Sequence, residues 1–107
     1  MKTKFAKLLF AFLLSPLLSH AQGLGSIVGR VLDPNGAPIA SARLVVLQEG
    51  TGFSRTATAD AEGLYVIPSL EPATYSITAD APGFSTSKQS GIVLLADQTL
   101  TVNLSMS

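Results

Sequence analysis

Asp60-Ala61-Glu62-Gly63-Leu64-Tyr65-Val66-Ile67-Pro68-Ser69-Leu70-Glu71-Pro72-Ala73-Thr74-Tyr75 is the stretch on which the reading of this chain turns. Asp60 and Gly63 bracket a tight turn, because an Asp side chain accepts hydrogen bonds from its own backbone two residues on and Gly takes positive φ without strain. Tyr65 and Ile67 then share one face of a strand. After a corner punctuated by proline, Tyr75, Ile77 and Ala79 repeat the period of two, so a second strand presents another aromatic-led face to the same core. That pattern predicts a β-sandwich and offers no cluster of reactive groups.

Working outward, residues 1–21 read as a cleavable signal peptide: Lys2, Lys4 and Lys7 precede an apolar run from Leu8 to Leu18, and Ser19-His20-Ala21 supplies small residues at the cleavage positions. The run is too short for a bilayer core of ~30 Å, so no transmembrane helix is expected in the mature chain. Residues 22–26, with Gly23 and Gly25, read as a flexible lead-in, and residues 27–105 as one sandwich domain. After cleavage Arg30, Arg43, Arg55 and Lys88 stand against Asp33, Glu49, Asp60, Glu62, Glu71, Asp80 and Asp97, a net charge of −3 with no basic cluster. Nucleic acid, whose recognition needs several phosphate contacts, is therefore not an expected partner. The chain has no Cys, so packing alone must hold the domain.

Seven strands follow from turn signals at short spacing. Ile27–Leu32 ends at Asp33-Pro34-Asn35-Gly36, and Ala42–Gln48, apolar on both faces, reads as an interior strand. Phe53–Thr58, with Ser54, Arg55 and Thr56, reads as a polar edge. Leu64–Ile67 and Thr74–Asp80 lead to Ala81-Pro82-Gly83-Phe84, a corner that tucks Phe84 toward the core. Ser85–Ser90 reads as a loop, Ile92–Leu95 as a short strand, and Leu100, Val102 and Leu104 as the inward face of the last. The expected fold class is thus all-β, a seven-stranded antiparallel Greek-key sandwich.

The segment from Ile27 to Leu104 resembles the carboxypeptidase regulatory-like domain, a transthyretin-like β-sandwich. The matching pieces are Gly29-Arg30-Val31 with Asp33-Pro34-Asn35-Gly36, Pro38 to Leu44, Asp60 to Tyr65, Leu70 to Tyr75, and Ala81-Pro82-Gly83-Phe84. Their order and spacing carry the resemblance, since four turn chemistries must fall between strands of suitable length. Ala73 stands where the family usually has Gly, which predicts a strained positive-φ turn, and Ala59 stands where it usually has Thr. The resemblance implies a non-catalytic accessory module, of the kind found behind the signal peptide of Oar-like TonB-dependent outer-membrane receptors. It also implies export to the periplasm or outer membrane, or secretion. The partners it implies are another envelope protein or downstream receptor domains.

Candidate chemistry is sparse. The one His, His20, lies in the signal, so neither a nucleophile triad nor a zinc set can form in the mature chain, and no cofactor or metal is expected. Ser85-Thr86-Ser87-Lys88 matches a Ser-x-x-Lys string but has no helix to aim it. Asp33 with Asn35 and Asp60 with Glu62 each offer two ligands where calcium needs six to eight oxygens, so both read as turns. Asn103-Leu104-Ser105 is a sequon inside a strand. Of Phe53, Tyr65, Tyr75 and Phe84, only Phe53 is expected at the surface, short of the two or three exposed aromatics that the alternative, a carbohydrate-binding module, calls for. The interaction edge is placed at Phe53, Arg55 and Thr56.

Overall fold

The computed structural model describes residues 23–107. The expected signal peptide lies outside them. Among the described residues every regular element is a strand: β1 Gly25–Leu32, β2 Arg43–Gln48, β3 Ser54–Thr58, β4 Leu64–Leu70, β5 Ala73–Asp80, β6 Ser87–Leu94, β7 Thr99–Thr101 and β8 Leu104–Ser105. One sheet runs β4-β1-β7, with β8 also on β1, and the other runs β3-β2-β5-β6. The chain passes from one sheet to the other in Greek-key fashion, and the alternating inward residues of both sheets form one core.

The two Asp-led turns are built alike. Asp33 Oδ1 accepts the N–H groups of Asn35 and Ala37, each at 2.9 Å, and Asp60 Oδ1 accepts those of Glu62 and Leu64, also at 2.9 Å. Gly36 and Gly63 close them at φ of 85° and 78°. Tyr75, Ile77 and Ala79 are fully buried, and Leu44 and Val46 meet them from β2. The Tyr75 hydroxyl donates to the Glu71 carbonyl at 2.6 Å, which lets a polar tip sit beneath the corner before β5.

Five expectations are corrected. β1 already begins at Gly25, inside the expected lead-in, because Gly25 pairs with Leu70. β6 begins at Ser87, inside the expected loop, where Ser87 and Lys88 pair with Ala79 and Thr78. β4 runs through Pro68 to Leu70: the register against β1 shifts between Gly25 and Ile27, so β4 carries an extra residue, and Ser69 takes φ 59° there. Ala73 pairs with Leu94 within β5 and is not among the positive-φ residues, so the strain expected of it does not arise.

The fifth correction, eight strands instead of seven, has the most informative cause. The C-terminal segment runs parallel to β1, with Val28 beside Thr101 and Val31 beside Leu104, and not antiparallel as expected. In that ladder the Val102 N–H donates to the Val28 carbonyl at 2.7 Å, and the Arg30 N–H should in turn reach the Val102 carbonyl. Instead that carbonyl turns into the sandwich, where the Tyr65 hydroxyl donates to it, and Asn103 Oδ1 accepts from the Arg30 N–H at 3.0 Å. The exchange splits the last strand into β7 and β8. Gly29 makes it possible, since a Cβ there would overlap the Val102 carbonyl oxygen.

Gly29→Ala should therefore cost about 3 kcal/mol or more, measured by chemical denaturation, because the overlapping atom is backbone and cannot swing aside. Burial raises the Tyr65 pKa from 10.0 to about 12. The folded state then holds that proton more tightly than the unfolded chain does, so stability is intact below pH 10 and falls as the pH climbs through the window to about 12. Tyr65→Phe should lose about 1–3 kcal/mol at neutral pH through the orphaned carbonyl, and its stability should fall less steeply in that alkaline window.

Candidate functional site

Phe53 and Arg55 come together and Thr56 does not. Along β3 the side chains alternate, so Arg55 and Ala57 turn inward while Ser54, Thr56 and Thr58 face solvent. The Arg55 guanidinium lies 5.4 Å from the centre of the Phe53 ring, a cation–π arrangement with Phe53 44% exposed. The same group donates to the Pro68 carbonyl and reaches the Ser69 carbonyl at 3.4 Å. These are backbone groups of the irregular stretch in β4. Arg55 thus ties the edge strand of one sheet to that of the other, a role its place on a polar strand does not reveal.

Beside this tie a groove of about 400 Å³ opens between the sheets, lined by Leu24, Gln48, Thr51, Phe53, Arg55, Ser69 and Glu71. Burial raises the pKa of the Tyr75 hydroxyl, the Glu71 charge adds to the rise and Arg55 opposes it, so both charges are felt at that tip inside the sandwich. Leu24, Gln48 and the neighbours Ser69 and Glu71 come from three separate stretches of the chain, so no local pattern joins them. A second, shallower groove of about 420 Å³ lies on the outer face of the other sheet, where Val28, Leu32, Leu64 and Val66 meet. Its only sequence signal was that Leu64 to Ile67 is apolar on both faces.

The remaining candidates are structural. The carboxylates of Asp33 and Asp60 are engaged by their own turns, and among the described residues no group of three His, Cys, Asp or Glu could hold a metal ion. Thr86 donates to the Asp80 carboxylate at 2.5 Å and the Ser85 N–H to the Ser107 carbonyl at 2.7 Å, while Lys88 is exposed on β6. Ser85 and Lys88 are not assembled into a reactive pair. Asn103 is engaged with Arg30. Tyr65 and Tyr75 are buried, Phe84 packs half-buried against the core, and Phe53 is the exposed aromatic of the four.

The free edge of β3 can be read from its hydrogen bonds. Gln48 N–H donates to the Phe53 carbonyl at 2.7 Å and Ala59 N–H to the Ala42 carbonyl at 2.9 Å, so by antiparallel alternation Arg55 and Ala57 bond to β2. The N–H and C=O groups of Ser54, Thr56 and Thr58 then point away from the sheet. Arg55→Met should cost about 1 kcal/mol in a denaturant melt and speed amide exchange at Ser69, because the two carbonyls it holds lose their charged donor.

No curated protein matches the chain in sequence. Among solved structures it is similar to a candidate carbohydrate-binding protein from Bacteroides uniformis, with a TM-score of 0.65 and 20% identity over 78% of this chain and 41% of that one. It is also similar to hydroxyquinol 1,2-dioxygenase from Pseudomonas putida, at 0.62 and 14% over 83% of this chain and 58% of that one. A candidate carbohydrate-binding protein from Pseudomonas aeruginosa matches at 0.59 and 14%, over 83% of this chain and 92% of that one. The chain spans less than two thirds of the first two, and at these identities the likeness is one of fold. The model of the carboxypeptidase regulatory-like domain matches residues 26–107, and the chain belongs to that family.

Proposed function

We propose that the chain is an exported, non-catalytic module that works at the cell envelope by contact with another protein through the free edge of β3. It serves either as a free-standing domain or as the front end of a TonB-dependent receptor. The observation that carries this reading is the difference between β3 and the other edges. Native sheets guard their edges with bulges, proline, charge or short strands. On β4, Leu64 exchanges both backbone groups with Asp60, at 2.9 Å and 2.8 Å, and the Pro68 carbonyl is held by Arg55, so only Val66 faces out between them. On β6, Lys88 lies on the strand, the pairing with β5 is irregular, and Glu49 accepts the Gly91 N–H at 3.0 Å. β7 and β8 have three and two residues.

β3 has none of these guards on its outward run. An extended segment of a partner can therefore pair with Ser54, Thr56 and Thr58, main chain supplying the bonds and alternate side chains the selectivity. A second reading, glycan binding, draws on the groove that sets the exposed Phe53 ring among Gln48, Arg55 and Glu71, and on the fold's likeness to candidate carbohydrate-binding proteins.

Capture from envelope extract separates the two. The immobilised domain should retain a protein partner that is lost with Thr56→Pro, which removes an outward N–H and no bond of the ladder, and kept with Lys88→Ala on the opposite edge. Retention of polysaccharide, abolished by Phe53→Ala and indifferent to Thr56→Pro, would put the glycan reading first.

A further inference from the structure

The run Ser54, Thr56 and Thr58 is complementary to itself, and we infer that the edge of β3 pairs two copies of this chain about a two-fold axis at Thr56. The inference rests on the reading of β3 as a pairing edge and names a partner for it. In an antiparallel self-pair one register engages all three outward residues of both strands: Thr56 opposite Thr56 of the other copy, and Ser54 opposite Thr58. Sliding either way leaves an outward residue of each copy unpaired. Each facing pair exchanges backbone bonds in both directions, as an isologous interface requires.

The side chains agree with that register. On the outer face it sets threonine against threonine and serine against threonine, pairs whose hydroxyls bond across strands. On the inner face Arg55 meets Ala57, so the two guanidinium groups do not confront each other, and each keeps its hold on its own Pro68 and Ser69 carbonyls. No Lys, Arg, Asp or Glu occupies the outward run. The other edges lack this symmetry: β4 is closed by Asp60 and Arg55, and β6 carries Lys88 beside its irregular pairing.

The absence of cysteine from the chain makes a clean test. A single Thr56→Cys in the full chain brings two sulfurs together only in this register, where facing α-carbons lie about 5.5 Å apart, within disulfide reach. Mild oxidation should give a covalent dimer, and Ser90→Cys, on the far edge, should not. Sedimentation over a concentration series should show the wild type approaching twice its monomer mass, while Thr56→Pro and Thr56→Lys stay at the monomer mass with melts that confirm folding. A dimer that survives both Thr56 variants overturns the β3 placement altogether. A wild type that stays monomeric throughout overturns self-pairing alone, and the pairing-edge reading then stands if Thr56→Pro still abolishes capture of an envelope protein.

Discussion

A single backbone carbonyl, that of Val102, is turned into the sandwich, and the rest of the β1 sheet is arranged around keeping it satisfied. A buried carbonyl without a donor costs about 1–3 kcal/mol, a large share of the stability of a small domain. Tyr65 supplies the donor from the neighbouring strand, standing opposite Gly29 in the β1–β4 pairing. Gly29 provides the space, and Asn103 takes over the Arg30 N–H that the carbonyl has abandoned. Four residues from three parts of the chain are thereby committed to one crossing. They lock the C-terminal segment onto β1, which lets Leu104 and Met106 close the core in a chain that has no disulfide.

The opposite side of the molecule is held by a second tie, from Arg55 to the irregular stretch of β4. Its consequence for recognition is asymmetric. By occupying the carbonyl of Pro68 the guanidinium helps close the β4 edge, and because it does so from the inner face of β3 it leaves the outward backbone of β3 untouched. The same residue blunts one edge and spares its own. It also lies over the Phe53 ring beside the inter-sheet groove, so the surface feature and the structural tie share a side chain.

Fold likeness adds little about chemistry here. A sandwich of this shape is similar both to candidate carbohydrate-binding proteins and to dioxygenases, at identities of 20% and below in the structures compared. A shared scaffold transmits no site, so any role must come from this chain's own edges and grooves.

The sequence by itself determined the sandwich class, the Asp-led turns at Asp33 and Asp60, and the inward row of Tyr75 with Ile77 and Ala79, while for Ala42–Gln48, apolar on both faces, it left open which face is buried. Local rules suffice for the turns and that row: turn geometry is decided within four residues, and a period of two decides which face is buried. It also placed β3 at an edge, from polarity alone. Only the tertiary structure decided that the last strand runs parallel to β1 and is split at Val102, since that depends on Gly29 and Tyr65, more than thirty residues away along the chain. Only the tertiary structure paired Arg55 with Pro68 and assembled the groove from Leu24 to Glu71. A strand pattern specifies faces but not neighbours, and each of these features is a relation between neighbours.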